Sequence, residues 1–293
     1  MLLQPGGNVV PRMKLWGRRL PLGLRIGLVI LLFHVSLAIS GPFWIPYGPA
    51  QLGTGIPALG ISLAHPLGVD QLGRDVFSRV VYGAHIVLLL SISGTALGCI
   101  AGSLIGLLSA YVGSWLDEIL QRAFEALISI PFLILGLVAI VAAGPDYSGE
   151  PLLLIFVIAL VYFPRVARIA RSAGIEIVKR DYVTVARLRG ETTWSVIWHE
   201  LLPNASGPLL VEFALRAGYA PVLVGSFGFL GFGMRPPTPE WGLMISENKD
   251  LLLTAPITVI GPGIALASLV VGLNMFTEGF ARVIGRNARI APQ

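Results

Sequence analysis

Six long apolar segments, separated by shorter polar ones, dominate the pattern of this 293-residue chain. A helix needs about 20 mostly apolar residues to cross the hydrocarbon core of a membrane. Segments of that length lie near 22–41, 83–110, 123–143, 151–170, 206–228 and 255–278. The pattern therefore predicts an all-α polytopic membrane protein with six transmembrane helices.

Composition supports this prediction and narrows the candidate chemistry. Hydrophobic residues make up 55% of the chain and charged residues 13%, with a mean hydropathy of +0.78, whereas soluble domains are about one quarter charged. The single cysteine, Cys99, lies in an apolar segment, and the four histidines match no metal-ligand spacing. The three lysines lie in no phosphate-binding loop. We expect no catalytic residue and no metal site.

The basic residues predict the orientation. Most of the 21 lysines and arginines lie in the N-terminal segment, the loop between the fourth and fifth spans, and the C-terminal tail. The positive-inside rule then places both termini in the cytoplasm. Topology and attraction to anionic lipid explain the net charge of +5, so we expect membrane lipid, and no nucleic acid, as a partner.

A charged stretch, RDYVTVARLRGETTWSVIWHELLPNASG, separates the fourth and fifth spans. Asp181 is predicted to cap a short helix, Tyr182 to Arg189, which ends at Gly190 because glycine readily forms a left-handed C-terminal cap. A second helix is predicted from about Thr193 to Leu202, stopping at Pro203-Asn204.

The first of these helices has the composition of a contact surface. Slim residues at Val183, Val185 and Ala186 permit close approach by a partner protein. Arg187 and Arg189 offer it positive charge. We therefore expect this helix to contact a partner surface on the cytoplasmic side.

Ionisable and amide residues within the spans are candidates for lining a path. Glu212 and Arg216 are four residues apart with the acid first, the favourable order for a helical ion pair. They line a path or pack as a neutral pair against a neighbouring helix. Asn274 and Glu278 repeat this spacing near the end of the last span, where Glu278 lines the path or reaches the membrane interface.

The cytoplasmic stretch carries a recognisable pattern. Tyr182-Val-Thr-Val-Ala-Arg-Leu-Arg-Gly190, with Ile197 and Leu202-Pro203-Asn204 after it, resembles the "EAA" loop of ABC importer permeases. Thr184 stands where that family most often has glutamate, so a salt bridge from this position to an ATPase is in doubt.

Three further blocks resemble one branch of this family, the C-type permeases of dipeptide, oligopeptide and nickel importers. They are HPLGVDQLGRDVFSR from His65, SFGFLGFG with PPTPEWG from Ser226 to Gly242, and Asn274 to Gly279. Side chains of the outer blocks brace the periplasmic end of the bundle or dock a binding protein; the candidates are Asp70, Arg74, Asp75 and Trp241.

The resemblance implies a type I ABC importer permease subunit in the bacterial inner membrane that is not itself an enzyme. Its expected partners are a homologous second permease, two ATPase subunits that hold ATP and Mg, and a periplasmic or lipid-anchored binding protein; this chain binds no cofactor. The glycines 94, 98, 102 and 106 are expected to face the second permease. The implied ATPase-coupling residues are Tyr182, Val183, Thr184, Val185, Ala186, Arg187, Leu188, Arg189, Gly190 and Pro203.

Three regions follow from these interpretations. Residues 1–80 form the N-terminal cytoplasmic segment, first span and periplasmic segment; residues 81–285 form a five-helix core with a coupling loop at 171–205; residues 286–293 form a cytoplasmic tail. Short peptides are the expected substrate. The alternatives are nickel or another small solute in the same type of importer, a stand-alone secondary carrier, and a membrane scaffold without transport.

Overall fold

The computed structural model describes the backbone of residues 21–288 and the side chains of residues 21–283. Most of the predicted N-terminal cytoplasmic segment, and the tail from residue 289, lie outside the described residues. The helices are α1 Leu22–Ser40, α2 Val76–Val112, α3 Ser114–Ser129, α4 Phe132–Ala143, α5 Pro151–Val178, α6 Asp181–Leu188, α7 Thr193–Val196, α8 Leu202–Phe229, α9 Trp241–Asn248 and α10 Ile257–Ala288. Within this part of the chain no β-strand forms.

Five helical segments are long and apolar enough to cross a membrane. They contain α1, α2, α5, α8 with the turn before it, and α10. The pair α3 and α4 makes a sixth span when counted together. The six-span prediction is therefore confirmed. We call the side of the bundle that carries α6 the inner face and the opposite side the outer face.

The third span differs from the prediction, because it is not one helix. Between α3 and α4 the chain bends by 98°. Pro131 has no N–H to continue α3, and it forces the preceding residue, Ile130, into an extended conformation with ψ 129°. The break is therefore fixed by a local sequence feature.

The most extensive helix contact in the bundle joins α2 and α5. Gly94, Gly98, Gly102 and Gly106 form one ridge of α2, and it lies against the backbone and aliphatic side chains of α5 between Ile155 and Ala170. This corrects the expectation that the glycine ridge faces a second permease. A ridge of small residues packs equally well within one chain.

The inner loop is shorter than predicted, and its second helix does not stop. Helix α5 continues to Val178, so the first part of the predicted coupling loop, 171–205, belongs to α5. A π-helical turn, Ile197–Leu201, joins α7 to α8, and Pro203 lies in the first turn of α8. Leu201 and Leu202 both keep right-handed helical dihedral angles, so the chain stays helical up to Pro203 and beyond it.

Replacing Gly98 by Ala should destabilise the α2–α5 pair, because the added methyl group would lie 2.8 Å from the Ala159 carbonyl oxygen. Overpacking of this kind costs about 1–3 kcal/mol. The apparent melting temperature of the detergent-purified protein should fall. The matched control is Gly263→Ala on α10, where the methyl group meets nothing within 4 Å. Equal melting temperatures for the two variants would contradict the packing described above.

Candidate functional site

The short helix α6 begins and ends with defined caps. Its N-cap is Arg180, which makes no side-chain cap bond, so the prediction that Asp181 is the cap is wrong. Asp181 is instead the first helical residue, where its negative charge interacts favourably with the positive end of the helix dipole and stabilises α6. The predicted C-terminal cap is confirmed: Gly190 has φ +75°, and its N–H donates to the Arg187 carbonyl at 3.0 Å.

One face of α6 is anchored to the chain itself. Val183 and Ala186 are buried, and they join an apolar cluster with Leu107 of α2, Val196 of α7 and Leu201 of the π-turn. The role expected of these two slim residues is corrected, since neither is accessible to a partner protein. Their small size allows α6 to lie close to its own bundle.

Arg187 is also used within the chain. Its guanidinium lies 4.3 Å from the centre of the Tyr111 ring, and Nη2 donates to the Tyr111 carbonyl at 3.1 Å. The positive charge of Arg187 also interacts favourably with the negative, C-terminal end of the α2 dipole. Arg187 therefore ties α6 to the inner end of α2, which corrects the expectation that it offers charge to a partner.

The opposite face of α6 is exposed and largely apolar. Leu188 is 83% exposed, and Tyr182 and Val185 are each about two fifths exposed. Thr184 and Arg189 share this exposed surface. An apolar surface that projects from the inner face of a membrane protein is typical of a protein contact.

The neighbouring α7 and π-turn continue this exposed surface. Trp194 and Trp198 are each about half exposed. Thr192 caps α7 by accepting from the Ser195 N–H at 3.3 Å. The Asn204 side chain donates to the Glu200 carbonyl at 2.6 Å, one turn before it. These bonds lie on either side of the two indole rings.

A closed network of charges occupies the outer face. Arg74 Nε lies 2.5 Å from Asp70 Oδ2, and Arg74 Nη2 lies 2.7 Å from Glu247 Oε2. Arg79 Nη2 reaches the same glutamate oxygen at 3.1 Å. Both arginines and Asp70 are at most 2% exposed. The network joins the outer loop, the start of α2 and helix α9.

Two further predicted residues have structural roles beside this network. Asp75 caps α2 by accepting from the Ser78 N–H at 2.7 Å, and its other oxygen lies 2.8 Å from His65 Nδ1. Trp241 donates from Nε1 to the Val80 carbonyl at 2.9 Å. Because Asp70, Arg74, Asp75 and Trp241 are all buried, they brace the bundle and do not form a docking surface.

Glu240 is a buried acid that the sequence reading did not select. It caps α9 by accepting from the Gly242 and Leu243 N–H groups at 2.7 and 2.9 Å. It lies against Gly228, where any side chain would collide with its carboxyl group. Burial raises the pKa of Glu240 to about 7. The local signal was its position directly before α9, where acidic residues are preferred caps.

Comparison with known proteins decides the family. Residues 102–290 match the model of binding-protein-dependent transport system inner membrane components. The chain belongs to this family. It is therefore a transport permease subunit, a multi-pass protein of the bacterial inner membrane.

Curated relatives span nearly the whole permease. A dipeptide transport system permease protein of Haemophilus influenzae is 32% identical, and the match covers 88% of each chain. A dipeptide transport system permease protein of Alkalihalophilus pseudofirmus is 31% identical over 87% of this chain and 82% of its own. A glutathione transport system permease protein of Pectobacterium atrosepticum is 30% identical over 92% and 89%.

The four residues considered for a substrate path have partners in the permease. Arg216 Nε donates to Glu212 Oε1 at 2.6 Å, and the Arg216 guanidinium lies 5.8 Å from the Tyr162 ring centre. The Asn274 amide donates to the Val270 carbonyl at 2.9 Å and reaches the Gly218 carbonyl at 3.5 Å. Asn274 thus bridges α10 and α8, and Glu212 and Arg216 form a neutral pair within α8.

Glu278 lies apart from these contacts. Its side chain is 62% exposed and lies 3.4 Å from Arg282, one turn further along α10. The structure therefore brings Asn274 against α8 and leaves Glu278 on the exposed side of α10.

An open cleft lies at the outer end of the permease. It has a volume of about 330 Å³ and lies between the first turns of α2 and the loop that precedes α9. Its walls include Tyr82, His85, Met234 and several prolines. The cleft is mostly apolar with a few polar atoms, a common character of small-molecule sites.

Replacing Asp70 by Asn should strongly destabilise the permease. The asparagine side chain keeps an oxygen for the Leu72 and Arg74 N–H groups but loses the charge that faces Arg74. Breaking a buried ion pair by removing one partner costs about 3–5 kcal/mol. The readouts are the yield of monodisperse protein and its melting temperature.

The matched control is Glu278→Gln, which breaks the exposed pair with Arg282 and should change stability by about 0–1 kcal/mol. If Asp70→Asn were as stable as this control, the outer charge network would not brace the bundle.

Proposed function

We propose that this permease forms half of the translocation path of an ATP-driven importer of short peptides. Support for the substrate comes from the relatives, two of them named for dipeptide transport and one for glutathione transport, over more than four fifths of every chain compared. Glutathione is itself a tripeptide. The common chemistry is a short peptide backbone.

The other half of the path is a homologous second permease, and the energy comes from two ATPase subunits. ATP and Mg²⁺ are held by those subunits, since this chain has no lysine in a phosphate-binding loop. A periplasmic or lipid-anchored binding protein delivers the substrate to the outer face. The family's printed description, a binding-protein-dependent system, supports this last partner.

The observation that carries the proposal is the two-sided character of α6. Val183 and Ala186 fix one side to the bundle, whereas Leu188 and its exposed neighbours form an apolar surface directed away from it. Such a helix suits a groove in a soluble subunit. We infer that the exposed side binds an ATPase and that the buried side transmits its movement.

The route of transmission begins at the contact between Arg187 and Tyr111. That contact joins α6 to α2, a single helix of 37 residues that rises about 1.5 Å per residue, about 55 Å in all. The outer end of α2 holds Arg79 and the cap residue Asp75. Movement of α6 would therefore displace the charge network at the outer face. ATP binding would favour either the outward-facing or the inward-facing state, because the ATPases contact α6 differently in the two states.

Thr184 takes the place of the family's usual glutamate on the exposed side of α6. An ion pair with the ATPase is not available from this position. We propose that the apolar contact of Leu188, Val185 and Tyr182 carries the coupling, with Arg189 as the free charge.

The variant Leu188→Glu tests this proposal. A carboxylate in the centre of an apolar contact must be desolvated without a partner, which opposes binding of the ATPase. ATP-driven uptake of a labelled dipeptide into cells should be lost, while the amount of permease in the membrane stays at the wild-type level.

The control is Ser172→Glu, which adds the same charge at an exposed position of α5 and should leave uptake unchanged. Normal uptake by Leu188→Glu would refute the role of α6. If wild-type cells took up no dipeptide but did take up nickel through this permease, the coupling role would stand and the peptide substrate would be wrong.

A further inference from the structure

Helix α3 carries a stripe of polar side chains that none of the helices between residues 21 and 288 covers. Glu118, Arg122, Glu125 and Ser129 are spaced by four, three and four residues, so they share one helix face. All four are exposed, and Arg122 and Glu118 pair at 2.6 Å with side chains 76% and 65% exposed. This is the polar stripe of α3.

The polar stripe of α3 extends from the inner face towards the outer face. Arg171 of α5 donates to both Asp117 carboxylate oxygens near the start of α3, at 2.5 and 2.6 Å. Seven residues further along α3, Phe124 packs edge-on against Phe163 of α5, with ring centres 5.3 Å apart. The two contacts show that α3 runs antiparallel to α5, towards the outer face.

The end of the stripe lies at membrane depth. The contact between Phe124 and Phe163 lies 12 residues, about 18 Å, from the outer end of the 28-residue spanning helix α5. Ile130 lies six residues, about 9 Å, further along α3. The break is therefore still about 9 Å from the outer end of α5, alongside its membrane-spanning part.

The break leaves backbone polar groups without partners. In a continuous helix the carbonyls of Leu127, Ile128 and Ser129 would accept from residues 131, 132 and 133. Pro131 has no N–H, and within the described residues no backbone bond joins the other two pairs. Ile130 and Pro131 are exposed in this chain.

Lipid cannot cover such a surface. Unpaired backbone groups and ionisable side chains at membrane depth occur where they are buried in protein or line a water-filled cavity. The exposed stripe and the break form one continuous polar strip on the same element. We propose that the polar stripe of α3 and the break at Ile130–Pro131 line the water-filled translocation path.

This inference rests on the proposed function and adds a path-lining element to it. It also redirects the search for substrate contacts. The path is lined by α3, whose hydrogen-bonding groups are exposed, and not by Glu212, Arg216 and Asn274, whose polar groups are already paired.

Cysteine accessibility tests the inference in the assembled importer. Cys99 is the only cysteine of the chain and is replaced by Ala. Ser129→Cys, a change of similar size, is then introduced, and inside-out membrane vesicles are treated with a membrane-impermeant maleimide. We expect labelling in one state, nucleotide-free or trapped with ATP and vanadate, and loss of labelling in the other.

Two controls bracket the result. Phe33→Cys lies in the middle of α1, is 57% exposed and has apolar neighbours, so it should stay unlabelled in lipid. Arg282→Cys, at a side chain 71% exposed near the inner end of α10, should be labelled in both states.

The inference is overturned if Ser129→Cys is as unreactive as Phe33→Cys in both states, because the strip is then covered by protein or lipid. It is also overturned if Ser129→Cys reacts like Arg282→Cys in both states, because α3 then lies on the membrane surface. Dipeptide uptake measured in the intact cells from which the vesicles are prepared separates these outcomes from a failure of the proposed function, which would appear as absent uptake by the unmodified importer.

Discussion

The structure of this permease depends on one constraint: a polar group at membrane depth needs a partner other than lipid. Backbone groups meet this requirement within the spanning helices. Glu212 meets it through Arg216 in the same helix, and Asn274 through carbonyls of α10 and α8. Where α3 breaks, none of the described residues meets the requirement, so this surface has to face water or another protein.

The same constraint explains the two ends of the bundle. At the outer face, Asp70, Arg74, Arg79 and Glu247 neutralise one another, which allows a loop, α2 and α9 to pack closely. At the inner face, α6 keeps an apolar side exposed and directed away from the bundle. The long helix α2 touches both ends, and it gives the proposed coupling a rigid connection.

Local patterns in the sequence predicted the spans, the short helix α6 and its glycine cap, because each depends on a few consecutive residues. The break at Pro131 also has a local cause. Hydropathy alone did not predict it, because the residues on both sides of Pro131 are apolar. The sequence pattern predicted that the second short helix stops at Pro203 and that the fifth span begins near residue 206. The π-turn before Pro203 instead continues directly into α8, which begins at Leu202.

Sequence patterns did not predict contacts between residues that lie far apart along the chain. Glu247 binds Arg74 and Arg79 across 173 and 168 residues, so no spacing rule connects them. The burial of Val183 and Ala186 depends on where α6 lies against α2 and α7, which periodicity over eight residues does not determine. For the same reason the glycine ridge of α2 was assigned to a partner and belongs to α5.

Site-specific photo-cross-linking from position 188 tests the central claim most directly. A photoreactive amino acid is placed at Leu188 in cells that express the complete transport system, and the cross-linked product is identified by mass spectrometry. The account predicts a covalent adduct with an ATPase chain that contains a phosphate-binding loop. Adducts with lipid alone, or with copies of this permease alone, would contradict it.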